Sequence, residues 1–351
     1  MIRFAIVGTG WRSHFFLRTA VACPDRFKVT ALVSRTPEKK EEFHRLYGVK
    51  LVPSLDDAVA TNPLFILTSL PSAVNPRVVC ELAARNVPVL SERHPGKTLE
   101  DLTGLAALVK QGAKIQVTTQ FYLQPHHAAR LAFVQSGKLG RISQAQISAE
   151  RGFGLLRNFL GVTFENPTLT ATSIAAPLIK FNNFRDAREG AALVDSHQTI
   201  AWFDYGARFG IFDFDDAQYG SLIRNQRMLV RGDHGALIDH HARYLRSDLT
   251  CIEVDFTRHS AGLAGNLEGN YLKGYQADGE WVYRNPLAAA ALSDEEIAIG
   301  DCLLRMATHL DGGPPVYSLA DACQDWYLFL LVQEAQKSGK PVKADTQLWA
   351  T

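Results

Sequence analysis

Six short apolar runs mark the first third of the chain, at residues 2–7, 27–33, 49–53, 64–67, 87–90 and 114–119. Each is nearly all apolar, as expected for strands buried on both faces. The stretches between them read as helices. One covers residues 14–22. A brief one follows Ser54, with Asp56 and Asp57 in its first turn. Another covers 76–85, and a fourth follows Thr98, with Glu100 and Asp101 near its start. Strands alternating with helices predict a parallel sheet with helices on both faces. Ligands of such sheets sit at the carboxyl ends of the strands. That gathers residues 8–13, 34–36, 68–71, 92–95 and 120–122 around one crevice.

After Phe121 the pattern changes. Residues 125–137 read as a helix and 141–149 as a half-buried strand. Residues 153–190 have mixed composition and carry no assignment. Residues 191–204 read as helical. Antiparallel strands are expected at 209–213, 218–223, 227–231 and 235–238, with Gly232-Asp233-His234-Gly235 as a hairpin turn. Residues 280–283 suggest another strand; 295–310 and 319–338 read as amphipathic helices. The expected fold is therefore α/β plus α+β. A parallel-sheet domain spans 1–121, and a domain on a mainly antiparallel open sheet spans 122–351.

The turn after the first strand reads Gly8-Thr9-Gly10-Trp11-Arg12-Ser13. A first glycine permits the sharp turn and a second lets the backbone approach a pyrophosphate. The small Ser13 lets helix and strand pack closely. With the helix amino end as an anion site, this is the opening of a Rossmann dinucleotide-binding unit. Trp11 sits where a side chain can cover a cofactor. At the end of the second strand an acid would bind the adenosine ribose of NAD. The chain instead has Ser34-Arg35-Thr36, which favours the 2′-phosphate of NADP, with NAD as the alternative. The crevice adds Ser69, Leu70, Pro71, Glu92 and Gln120 to the cofactor candidates.

Bulk properties exclude several classes. The 351 residues are 46% hydrophobic and 21% charged with a net charge of +1, which gives no electrostatic case for nucleic acid or an anionic membrane. No apolar run approaches spanning length, and the first residues enter a strand directly, so cytoplasmic residence is expected. Cys23, Cys80, Cys251, Cys302 and Cys323 lack paired spacing and read as reduced thiols. His126-His127 and His240-His241 are neighbours that do not share an element face, so no metal site is expected.

Four segments resemble the Gfo/Idh/MocA oxidoreductases: IRFAIVGTGWRSHF, SLPSAVN, NVPVLSERHPGKT and YLQPHHAARLAFVQSGKLGRI. The resemblance implies an NAD(P)-dependent dehydrogenase acting on a sugar, cyclitol or related polyol, assembled as a dimer or tetramer through the open sheet. Where the family has Glu-Lys-Pro, this chain has Glu92-Arg93-His94. Arg93 stays protonated and serves poorly as acid or base, whereas His94 titrates near neutrality. The resemblance also implies a helix with Asp followed four residues later by His. Its counterpart here holds Asp195, with Thr199 at the histidine position and His197 between them. Asp195 and His197 are thus candidates for proton transfer, and Arg93 and His94 for positioning. Two alternatives remain: cleavage of a glycoside by transient oxidation with tightly held NAD, and a non-catalytic nucleotide-binding regulator.

Overall fold

The computed structural model describes residues 1–34, 36, 38–150, 152–182, 190–263, 265, 266 and 269–351. Arg35, expected at the cofactor, lies outside the described residues.

Strand β1 (Ile2–Val7) is buried from Phe4 onward. With β2 (Phe27–Val33), β3 (Leu51–Val52), β4 (Phe65–Thr68), β5 (Val89–Ser91) and β6 (Ile115–Val117) it forms a parallel sheet in the order β3-β2-β1-β4-β5-β6. Its helices are α1 (Trp11–Ala22), α2 (Lys39–Tyr47), α3 (Leu55–Val59), α4 (Asn75–Ala84) and α5 (Leu99–Lys110). The strand order reverses between the paired strands β1 and β4, so the connections leaving them run in opposite directions and leave a crevice beyond their carboxyl ends. Local chemistry agrees with the pattern. Ser54 caps α3 through the Asp57 amide, and Thr98 and Asp101 form a reciprocal capping box on α5.

The remaining strands are β7 (Ile142–Ile147), β8 (Thr168–Phe181), β9 (Ala191–Asp204), β10 (Phe209–Asp215), β11 (Met228–Gly232), β12 (Gly235–Ile238), β13 (His241–Leu245), β14 (Cys251–Asp255), β15 (Thr257–Ala261), β16 (Tyr271–Ala277), β17 (Glu280–Arg284) and β18 (Val342–Lys343). Nine of them build a second sheet, β14-β13-β12-β11-β7-β10-β9-β8-β18. It is antiparallel except where β7 meets β10. Strands β15, β16 and β17 form a small third sheet. Helices α6 (Pro125–Gln135), α7 (Phe153–Leu160), α8 (Asp294–Leu310) and α9 (Leu319–Ser338) complete the chain.

Two expectations are corrected. Residues 191–204 are not a helix but strand β9, paired with β8 along its whole length. Val194, Thr199 and Ile200 suit a pleated surface, and fourteen residues of long-range pairing override a helical reading of a short window. Residues 218–223 are not a strand. Gln218–Gly220 is a single tight turn, because the Gln218 side chain is buried and donates to the Ser148 carbonyl at 2.9 Å.

One face of the second sheet is packed and the other is open. Ala201 and Phe203 are buried, whereas Ile200 and Trp202, which alternate with them, are 38% and 44% exposed. Trp202 stacks on Phe209 with ring centroids 4.4 Å apart. Helix α8 belongs to the first sheet's core. Its Ile299, Leu303 and Met306 are fully buried with Phe4, Ile6, Phe16 and Leu17. Burial is worth about 1.5–3 kcal/mol for each such side chain, so α8 matters to the sheet it covers.

Candidate functional site

The turn between β1 and α1 is built for close approach. Gly8 has φ +112°, and a Cβ there would lie 2.2 Å from the Ser69 carbonyl oxygen. Ser13 Oγ donates to the Gly8 carbonyl at 2.7 Å and locks the turn from below. Gly10 caps α1 without a side-chain bond, and the first turn of α1 holds no acid. Its amide groups therefore face the crevice with a favourable dipole for phosphate.

Beside this turn lies an open cleft of ≈ 1110 Å³, and Gly8, Thr9, Ser34, Thr36, Leu70 and Arg77 are among its lining. Val74 and Val78 on one wall, and Pro53 and Leu55 on the other, offer apolar surfaces for a flat base. Lys39 Nζ donates to the Thr9 carbonyl at 2.9 Å, bringing a cation to the rim of the turn. Ser34 Oγ accepts from the Thr36 amide at 3.1 Å and lies 3.4 Å from Thr9 Oγ1.

The carboxyl ends of the neighbouring strands carry unsatisfied polar atoms. Thr68 Oγ1, Asn75 Oδ1 and Gln120 Oε1 are buried without a hydrogen-bond partner among the described residues. Such atoms are costly unless a bound polar group meets them. The glycine turn, the cleft and these acceptors together fit a dinucleotide. Ser69, Leu70 and Pro71 follow β4 at this edge, and Trp11 is 46% exposed at the amino end of α1.

Arg12 departs from expectation. Its side chain turns away from the cleft and pairs with Glu295 of α8 and, at 3.5 Å, with Glu92. Gln120 donates to Glu295 Oε1 at 2.9 Å, and Gln124 donates to Glu295 Oε2. Burial opposes ionisation of Glu295, yet Arg12 and the two amides outweigh it and hold the carboxyl below its ordinary range. Glu92 also receives bonds from Thr118 Oγ1 and the Arg93 amide, both at 3.2 Å. Arg12 and Gln120 are thus tied to Glu295, 283 and 175 residues away along the chain, and Glu92 joins them through Arg12, a linkage that no local motif announces.

A second cavity, ≈ 540 Å³ in empty volume, opens at the ends of β5 and β6. Arg93, His94 and Thr119 line one side, Glu150, Phe153 and Gly154 another, and Asp325, Trp326 and Phe329 of α9 a third. His94 packs on Trp326 with centroids 3.5 Å apart, and Trp326 Nε1 donates to the Lys97 carbonyl at 2.9 Å. Asp325 is buried, which pushes its carboxyl above the ordinary value despite opposition from Arg157 and Tyr317. Arg157 donates to it at 2.7 Å and Tyr317 at 2.6 Å. Gly154 is required at this point, since a Cβ would lie 2.4 Å from Tyr317 Oη.

Asp195, His197 and Thr199 do not join Arg93 and His94 in the lining of this cavity. All three lie on β9. Asp195 pairs in register with Pro177, His197 faces Asp216 at 3.5 Å, and Thr199 accepts from Gln336 of α9 at 2.9 Å. The element facing Arg93 is α7, inside the stretch that the sequence left without an assignment. Sequence reading also missed Asn75, Lys39, Arg77, Glu295 and Trp326. Asn75 and Arg77 were within reach, because they open the helix after the 68–71 crevice segment.

Residues 2–121 match the model of a family described as an oxidoreductase family with an NAD-binding Rossmann fold, GFO_IDH_MocA. Residues 2–121 therefore carry the NAD-binding Rossmann domain of that family. No curated protein matches the chain. Solved structures share its fold over nearly the full length. An oxidoreductase from Agrobacterium radiobacter, in complex with NAD+, L-tartaric acid and magnesium, is 15% identical with a TM-score of 0.69, covering 97% of this chain and 98% of its own. A putative myo-inositol dehydrogenase from Sinorhizobium meliloti is 14% identical with a TM-score of 0.68, covering 98% and 100%. The WlbA dehydrogenase from Chromobacterium violaceum, in complex with NADH and UDP-GlcNAcA, is 14% identical with a TM-score of 0.64, covering 98% and 96%. At such identities the likeness concerns the fold. Among the described residues no helix is long and apolar enough to cross a membrane.

Proposed function

We propose that this chain is an NADP-preferring Gfo/Idh/MocA dehydrogenase of a hydroxylated small molecule of the sugar or cyclitol class. The observation that carries the reading is the placement of two cavities along one sheet edge. The first holds the glycine turn, and the second holds Arg93 and His94. When bound, the nicotinamide supplies the hydride acceptor or donor. The chain's own residues do the rest. His94 takes or gives the hydroxyl proton, since imidazole titrates near neutrality. Arg93 stays charged and orients the reacting oxygen. Phe153, Trp326 and Phe329 give a ring an apolar surface to lie on. Asp195, His197 and Thr199 have no part in this arrangement.

The preference for NADP rests on the adenosine cleft. Among the described residues no carboxylate lines it, Ser34 and Thr36 are there, and Lys39 holds its rim. The dehydrogenase crystallised with UDP-GlcNAcA and the oxidoreductase crystallised with L-tartaric acid are in keeping with a hydroxylated substrate. The open face of the second sheet, with Ile200 and Trp202, suits pairing with a second copy of the chain.

The test begins with calorimetric titration of NADP and NAD, followed by a panel of polyols and sugars read as NADPH formation. For a substrate found in this way, His94→Ala should lower kcat by about 10²–10⁴-fold and leave NADP affinity unchanged. Unaltered turnover would remove His94 from its role. Tight retention of NAD would overturn the cofactor preference.

A further inference from the structure

We propose that Arg77, on the α4 wall of the adenosine cleft, is the residue that reads the 2′-phosphate of NADP. This rests on the NADP reading and names a determinant that the second-strand residues do not include. Arg77 stands in the first turn of α4, a helix with no acid in that turn and no side-chain cap. It lines the same cleft as Ser34 and Thr36, which lie across from it. Among the described residues it has no hydrogen bond or ion pair. The surrounding charges are spoken for. Arg85, at the other end of α4, holds both Asp56 at 2.5 Å and Glu81 at 2.7 Å. Asp57 is occupied by the Ser54 hydroxyl at 2.5 Å and by its place in the α3 cap. Lys39 is anchored on the Thr9 carbonyl. The cleft therefore presents a cation with a planar fork of donors, and among the described residues no carboxylate in its lining neutralises it.

That fork matches a phosphate monoester, which accepts two charge-assisted hydrogen bonds from one guanidinium. NAD carries a neutral hydroxyl at the same position and gives Arg77 no such partner. Arg77 should then act on the difference between the two cofactors rather than on binding in general. Pyrophosphate binding stays with the glycine turn and α1.

The test uses the full chain, stripped of bound nucleotide, and calorimetric titration with NADP and NAD. Arg77→Ala should weaken NADP by about 10- to 100-fold and leave NAD within about twofold. Arg77→Lys should recover part of the loss, and Arg77→Glu should reverse the preference. Equal weakening of both cofactors would overturn the proposal, because Arg77 would then serve the adenine they share. So would unchanged binding of both. Arg77 is exposed, so the variants should fold; Arg77→Gln, checked by thermal melting, is the second neutral variant. If the unaltered protein binds NAD as tightly as NADP, the cofactor preference itself fails, and that outcome is visible before any variant is made.

Discussion

Gly8 shows how much one residue can carry. Its φ of +112° and the 2.2 Å approach to the Ser69 oxygen leave no room for a side chain. Gly8→Ala should cost about 1–3 kcal/mol in backbone strain, and relief by moving the turn should also weaken dinucleotide binding. Thermal melting and calorimetry on the same variant would register both losses. This glycine was readable from the sequence, because its role follows from a turn between adjacent elements. Ser34 and Thr36 were placed beside it by the same kind of reasoning, and both line the cleft. Arg12 was not. It lies inside the motif, yet its side chain is claimed by Glu295, far along the chain. Residues whose partners are local could be assigned from spacing, and residues whose partners arrive from a distant helix could not.

At the scale of elements, the parallel strands were legible because burial on both faces leaves unbroken apolar runs. Strand β9 was not, because its length and direction depend on β8, whose half-polar composition gives no clear period. The resemblance that put forward Asp195, His197 and Thr199 implied a helix in this segment, where the structure has a strand. Helix α6 gives an element-level prediction. His127 is fully buried, and burial first, then His126, Arg130 and His240, pushes its imidazole well below 6.5. Arg130 Nη1 lies 3.0 Å from its Nδ1, His126 Nε2 lies 3.1 Å from its Nε2, and the Phe121 ring is 4.4 Å away. The folded protein thus keeps His127 neutral while the unfolded chain binds a proton below about 6.5. Protons then favour unfolding, so this contribution to stability is present above that pH and lost as the pH falls beneath it. Melting temperature should fall between pH 7 and 5, and His127→Gln should make the fall shallower. Equal slopes would show that other groups govern acid stability.

For the whole molecule, the open face of the nine-stranded sheet is the feature with the plainest consequence. Ile200, Trp202 and Ile238 are 38%, 44% and 53% exposed, and Leu193, also on β9, is 65% exposed. Light scattering should report an assembly larger than one chain. Trp202→Lys together with Ile238→Lys should reduce it to single chains without loss of nucleotide binding. An unchanged mass would place the contact elsewhere.

Helix α8 brings a different kind of consequence, one of timing. Phe4, Ile6, Phe16 and Leu17 are made first, but the helix that covers them ends at Leu310. At roughly 5–20 residues per second, a ribosome needs roughly 10–40 s to travel from Val117, the end of the first sheet, to that point. Through that interval the nascent chain displays an uncovered aromatic face, the kind of surface that promotes aggregation. The early part of this protein is therefore finished only when its late part emerges.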